Sequence, residues 1–251
     1  MADVQDIIEY CDKQLQPQLF KDYCPNGLQV SGKKTVTSIA SAVTADLATI
    51  NKAISQNVDL LLVHHGLFWS GQSQVITGLL RERLAACLSG DLNLIAYHLP
   101  LDAHHELGNN CHIADQLGIK NRQDFPYGSP PIGGIGQLAT PMSPTKFCHF
   151  LTEIFGNKVV HLPGEYATIE KVAWCSGAAQ SGLLLAAAQG AHAYLSGEVS
   201  ERTFYEAKES GVHYFGAGHH VTEVGGVQRL GAQLAKIFSI SHHFIDSRNP
   251  C

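Results

Sequence analysis

IASAVTADLATINKAISQNVDLLLVHHG, residues Ile39 to Gly66, contains a complete strand–helix–strand unit. Val36 to Val43 is apolar and reads as a strand. Ala45 to Gln56 places apolar residues at helical spacing, and Asp59 to His64 is the short continuous apolar run of a strand buried on both faces. One helix between two such strands predicts a parallel pair, because parallel neighbours need a crossover connection.

Outward from this unit the rhythm continues. A helix around Leu79 to Ser89 and a strand Leu92 to His98 follow, while Val4, Ile7, Ile8 and Cys11 mark an amphipathic helix near the start. The pattern of the unit also recurs, as an internal repeat or as a second strand–helix–strand unit of equal length. Ile39 to Gly66 lies without a gap on VAWCSGAAQSGLLLAAAQGAHAYLSGEV, Val172 to Val199, strand on strand and helix on helix. His64–His65 then falls opposite Gly197–Glu198. Strands Leu92 to His98 and Val212 to Gly218 both run into histidine-containing loops.

Between the halves the texture changes. FPYGSPPIGGIGQLATPMSP, Phe125 to Pro144, holds five prolines and four glycines and predicts a junction with a short strand near Gly136 to Thr140. Ser143–Pro144 reads as a helix cap followed by proline at the first helical position. The expected organisation is α/β, two similar domains with mainly parallel sheets, covering 1–125 and 126–235. The segment 236–251, with its late strand HHFID, is left open to return to the first domain.

Composition narrows the function. The chain has 251 residues, enough for two cores, with 45% apolar and 16% charged residues, as in soluble globular proteins. No apolar run reaches bilayer length, and the acidic MADVQDIIEY does not open like a signal peptide, so the expected compartment is the cytoplasm. Seven scattered cysteines without C-x-x-C argue against a disulfide framework or zinc ribbon. A net charge of −5 and the lack of a Lys/Arg run argue against a broad nucleic-acid footprint.

Histidine stands out. Fourteen are present, with adjacent pairs at 64–65, 104–105, 219–220 and 242–243, and imidazole is the commonest metal ligand. Three clusters, VHHG, YHLPLDAHH and GHHVTE, sit at predicted strand ends, where parallel α/β sheets bind ligands. Each also has a plainer reading. His64 and His65 could be one buried and one exposed residue of a strand. Asp102 could cap a helix, and Glu223 could favour a helix N-terminus. Taken together, imidazoles with carboxylates suit Zn, Fe or Mn more than Mg or Ca, and two ions bridged by a carboxylate form a site that hydrolases use.

PNGLQV (Pro25 to Val30), VHHG (Val63 to Gly66), YHLPLDAH (Tyr97 to His104), LSGEVSE (Leu195 to Glu201) and AGHHVTE (Ala217 to Glu223) occur in one chain in this order. Together they resemble the Nif-three-like family in its short bacterial form, whose members carry the label GTP cyclohydrolase 1 type 2 homologue. The resemblance runs from Tyr23 to Asp246. It implies a toroidal homohexamer, a trimer of dimers, with dinuclear sites facing an internal cavity. It also implies that His64, His65, Asp102, His219 and Glu223 are the metal ligands, with Glu223 as the bridge and the centre between the domains. His98 and Glu198 would lie close by, as groups for proton transfer or substrate contact.

Two functions follow from such a centre. One is hydrolysis of a nucleotide-like or other small cyclic substrate, with attack at C8 in the case of GTP. The other is non-enzymatic metal storage, delivery or scaffolding. GLQVSGKK, Gly27 to Lys34, approaches a phosphate-binding loop, but Lys34 stands where Ser or Thr is needed and a strand follows it instead of a helix. Cys111 and Cys175 have no partner in a recognisable nucleophile motif.

Overall fold

A computed structural model describes residues 1–73, 75–156 and 158–251. The chain begins with β1 (Ala2–Asp3), α1 (Val4–Leu15), β2 (Gly27–Val30), β3 (Thr35–Val36), β4 (Ser38–Thr44) and α2 (Leu47–Ser55). It continues through β5 (Leu60–His65), α3 (Gly78–Ser89), β6 (Asn93–Ala96), α4 (Leu99–Ala103) and α5 (Asn109–Gln116). The middle contains β7 (Lys120–Phe125), β8 (Gly133–Met142), α6 (Pro144–Phe155), β9 (Val160–Leu162), β10 (Ile169–Trp174), α7 (Leu183–Ala188) and β11 (Ala193–Ser196). Last come α8 (Glu201–Ser210), β12 (His213–Gly216), α9 (His219–Thr222), α10 (Val224–Phe238) and β13 (Ser241–Phe244). Among the described residues no helix is long and apolar enough to cross a membrane.

Two compact units result. The first is Met1–Leu101 with Gly226–Arg248, the second Asp102–Gly225 with Asn249–Cys251. The chain thus changes unit at Leu101/Asp102 and Gly225/Gly226, whereas the sequence reading sets the junctions at 125/126 and 235/236. The difference has a physical cause. The proline- and glycine-rich segment is not a linker: β7 and β8 form an antiparallel arm inside the second sheet. Upstream of it, Ile113 and Ala114 of α5 are buried in the second unit's core.

The first unit is built on a five-stranded sheet of order β13-β4-β5-β6-β2, parallel except for β2 at its edge. Ala40, Ala42, Leu61, Val63, Leu94 and Ala96 point from it into one apolar core with Ile50 and Ala53 of α2. Asp46 caps α2 by accepting from Thr49 N at 2.7 Å. At the opposite edge of the strands, buried Asp59 accepts from Lys33 Nζ at 2.7 Å and from Thr37 N at 2.8 Å, and Asn93 Oδ1 accepts from Gly32 N at 2.8 Å. The phosphate-loop-like GLQVSGKK is therefore strand β2 and a turn held to the sheet.

The second unit has six strands in the order β7-β8-β10-β11-β12-β9. Only its centre, β10-β11-β12, is parallel; the β7–β8 arm and β9 are antiparallel additions. This sheet is less parallel than expected, because proline-rich turns build a hairpin-like arm where a crossover helix was not available. Alternation along the strands separates two cores. Val172, Trp174, Leu195 and Phe215 face one, with α5 and α6. Ala173, Tyr194 and Tyr214 face the other, with α7 and α8. Ser143 accepts from Lys146 N and Pro144 opens α6, as the sequence predicts.

The internal repeat is real at the level of topology. The gapless alignment sets α2 on Gln180 to Ala188, where a helical turn Gln180–Gly182 runs into α7, and it sets β5 on β11. Each parallel trio also carries an antiparallel edge strand from the preceding segment, β2 beside β6 and β9 beside β12.

Candidate metal centre

In the first unit three imidazoles meet at the carboxyl ends of β5 and β6. His64 and His65 end β5, and their ring centroids are 4.7 Å apart, so the strand end brings both side chains together instead of splaying them. His98 follows β6, with its ring 5.0 Å from His64 and 5.7 Å from His65. One ring nitrogen from each of the three falls within a 4.8 Å group suited to holding a metal ion.

Each imidazole is fixed through Nδ1. His64 Nδ1 lies 2.9 Å from the Tyr97 carbonyl, which can only accept, so Nδ1 carries the proton and Nε2 is the atom that would ligate. His65 Nδ1 meets the Thr44 hydroxyl at 3.1 Å. His98 Nδ1 meets Asp22 Oδ1 at 2.7 Å. Metal-binding histidines are oriented by such outer contacts.

Asp22 is a residue that sequence reasoning missed. Its oxygens also accept from Tyr23 N, Asn26 Nδ2 at 2.9 Å and Leu99 N at 3.0 Å. Burial alone would raise its pKa. The hydrogen bond and charge of His98, with the N–H groups of Asn26 and Leu99, outweigh that and hold it down at about 2. Asn26 Oδ1 accepts from His98 N at 2.7 Å, and Gln29 Oε1 accepts from Leu67 N at 2.7 Å. PNGLQV thus braces both histidine loops. At Gly66 a Cβ would run into the Gln29 amide, so glycine there leaves room for the Gln29 side chain to hold Leu67 N. The only sequence signal for Asp22 was its spacing from Asn26 in a turn-rich segment. Cys24 lies beside Asp22 and His98, but burial and then the Asp22 charge push its thiol up to about 12, so it stays protonated.

In the second unit His219 begins α9 after Gly218. Its Nδ1 meets Glu198 Oε1 at 2.7 Å and its Nε2 meets Glu223 Oε1 at 3.1 Å. The four-residue spacing does place imidazole and carboxylate together. Burial pulls the His219 pKa down. Glu223 and then Glu198, by hydrogen bond and charge, more than reverse this and hold it at about 9. A proton therefore occupies the ring between two carboxylates, an arrangement that a divalent cation suits equally well. Gly177, at φ +63°, leaves the room: a Cβ there would collide with Glu223 Oε1 and crowd His219 Nε2.

Asp102 is buried inside this unit, where its Oδ1 accepts from Asn109 Nδ2 at 2.9 Å and Ser176 Oγ at 2.7 Å. It lies within α4, and Gly108 precedes α5, so capping of the next helix does not account for it. Asn110 supports it by donating to the Asp102 carbonyl and to Ser176 Oγ. Glu223 immediately precedes α10, so its helix-start role stands beside its contact with His219. A cavity of about 660 Å³ opens onto Glu198 and His219, with Lys158 on its wall. A second, of about 460 Å³, is lined by Asn110, Arg122 and Trp174 and contains none of the expected ligands.

The remaining histidine pairs serve the fold. His104 Nδ1 accepts from Leu107 N at 3.1 Å, closing a turn, and His105 is exposed. His242 bonds the Ser41 hydroxyl at 2.8 Å, and His243 the Gln56 side chain at 2.8 Å. Cys175 is buried, and burial followed by the charges of Asp102 and Glu223 pushes its thiol well above the usual range, so it is no nucleophile.

The donor sets of both units, imidazoles and carboxylates, fit a first-row divalent ion. Comparison with known proteins gives the family of the chain. A protein of Pseudomonas aeruginosa described as GTP cyclohydrolase 1 type 2 homolog is 44% identical over 97% of each chain. One of the same description from Vibrio cholerae is 43% identical over 94% of each. Among solved structures, one described as protein ybgI, unknown function, superposes with a TM-score of 0.95 at 38% identity over the full length of both chains. TTHA1606 of Thermus thermophilus gives 0.89 at 34%, again over both full lengths. The family model Duf34/NIF3 (NGG1p interacting factor 3) matches residues 2–250, and the chain belongs to that family.

Proposed function

We propose that this protein is a metal-dependent hydrolase with two divalent ions per chain, Zn, Fe or Mn. His64 and His65 of the first unit and Asp102, His219 and Glu223 of the second hold them, with Glu223 as the bridge. The observation that carries the reading is the state of the donors within each unit. Every imidazole is anchored by a named partner, and His219 already shares a cation-sized position with a carboxylate. When bound, such ions acidify water and offset developing negative charge.

The chain's own residues do the rest. Glu198 holds His219 through Nδ1 and borders the larger cavity, where it can take up a proton. His98, fixed by Asp22, stands beside His64 and His65 as the second candidate for proton transfer. The substrate is nucleotide-like or another small cyclic compound, following the description of the relatives and a cavity of ligand size. Assembly as a ring of six chains, a trimer of dimers, in the cytoplasm completes the reading.

The test is turnover by freshly purified, metal-loaded protein of a panel of nucleotides, cyclic amides and phosphodiesters. Hydrolysis of at least one, lost on chelation and in Glu223→Ala, is the expected result. No turnover by protein that demonstrably holds its metal would defeat the hydrolase reading. Rapid metal loss on dialysis would then favour delivery as the role.

A further inference from the structure

We infer that His213 is the catch of an acid-sensitive clasp. As a neutral ring it holds the segment His161 to Tyr166, and with it strand β9, against β12; on taking up a second proton it lets them go. The inference concerns regulation of the site proposed above and rests on the larger cavity being the one that substrate uses. β9 is three residues long and lies at the edge of the second sheet, with Val160 on Gly216, His161 on Phe215 and Leu162 on Tyr214. Val160 and Lys158 form part of the wall of the cavity that also reaches Glu198 and His219. So short an edge strand needs support beyond its own ladder.

That support comes from imidazoles. His213, 4% exposed at the start of β12, places Nε2 2.8 Å from the Tyr166 carbonyl, so Nε2 carries its proton. Its Nδ1 accepts from Gly164 N at 3.0 Å and lies 3.0 Å from His161 Nε2, which must then be a donor. One neutral ring thus ties down three points of the segment. The His161 ring is itself set in place, stacked on Phe215 at 4.5 Å and 5°. Burial and then the neighbouring His213 lower the His161 pKa, which keeps it a neutral donor. A Cβ at Gly164 would collide with Gly211 O and His213 N, so the turn is seated directly on β12.

A second proton on His213 would occupy Nδ1 and set donor against donor. His161 could answer by changing tautomer. The Gly164 N–H can only donate, so that bond must break. The other elements packed here do not cancel the effect. β11 places Ala193 beside His213, and α6 brings Phe147 edge-on to Phe215 at 5.0 Å. α8 packs Ala207 into the core on the opposite face, with Tyr214. In the loop Glu165 lies against Gly211, and Tyr166 stacks at 4.4 Å on His192, whose Nδ1 accepts from Glu170 N. The titratable neighbours are therefore His161, Glu165, Tyr166, Glu170 and His192. Of these, His161 is the one that meets the His213 ring through its own titrating group.

The test is hydrogen–deuterium exchange on the full-length metal-free chain at pH 7.5 and pH 5.0, either side of the histidine value of about 6.5, corrected for the intrinsic pH dependence of exchange. His219, held at about 9, is protonated at both, so its titration does not enter. Protection of residues 160–166 should fall roughly tenfold or more at the lower pH, as for loss of a buried hydrogen bond. Ile169–Trp174 and Ala193–Ser196 should keep theirs. His213→Asn retains an acceptor near the Nδ1 position and cannot titrate, so in the folded variant the step should vanish. In His161→Phe, which keeps the stack on Phe215, it should remain. Should His213→Asn not fold, wild-type imidazole NMR decides: the His213 signals must titrate where protection is lost. Wild-type protection independent of pH, the same step in folded His213→Asn, or His213 titrating elsewhere would overturn the inference. The readout uses neither metal nor turnover, so a failed clasp and a failed hydrolase reading are told apart.

Discussion

At the scale of single residues, the site depends on carboxylates that hold imidazoles. In the metal-free protein His219 is held at about 9, above the histidine value of about 6.5. A raised pKa contributes stability that is fully present below pH 6.5 and is lost as pH rises through about 9. Chelator-treated protein should therefore melt at a lower temperature at pH 9.5 than at pH 6.5, and Glu198→Gln should flatten that difference. Metal must displace the same proton, so uptake should release protons, and affinity should rise with pH until about 9. Isothermal titration in buffers of different ionisation heat measures this; uptake without proton release would show that His219 is not a ligand. Asp22 has the opposite sign. Its pKa near 2 contributes stability present above pH 4 and lost as pH falls through about 2. Removing one member of this buried pair in Asp22→Ala should cost roughly 3–5 kcal/mol, read as a lower urea midpoint at pH 7.

At the scale of elements, the site is a product of strand ends. β5 delivers His64 and His65, the loop after β6 delivers His98, and the loop after β12 delivers His219. Much of this was legible: Ile39 to Gly66 shows its strand, helix and strand through periodicity alone, and its repeat predicted a helix where the turn Gln180–Gly182 and α7 lie. Of the arm β7–β8, the strand near Gly136 to Thr140 was legible and lies within β8, whereas β7 was not, because KNRQDF is fully exposed except at Phe125 and has no apolar alternation to reveal a strand. Asp22 was hidden for a related reason: its partners Leu99 and His98 are more than seventy positions away, and no local pattern encodes them. Gly177 is the most sensitive turn. Its left-handed backbone makes Gly177→Ala cost roughly 1–2 kcal/mol. The new methyl would also displace the Glu223 carboxylate, so metal affinity should fall together with the melting temperature. A variant that melts early but binds metal normally would separate the turn from the site.

At the scale of the whole molecule, one supersecondary plan is used twice and filled differently. The first unit places imidazoles at the end of its middle strand, and the second places Gly197 and Glu198 there. The first unit pairs His98 with Asp22, and the second pairs His219 with Glu198. The shared plan thus places candidate donors at corresponding strand ends in both halves, imidazoles in the first and Glu198 in the second. The most direct test of the two-ion centre is metal analysis by mass spectrometry on freshly purified, metal-loaded wild-type protein beside Glu223→Ala. Two ions per chain in the wild type, falling to one in the variant, is the predicted result. No bound metal in the wild type, or two ions in both proteins, would contradict it.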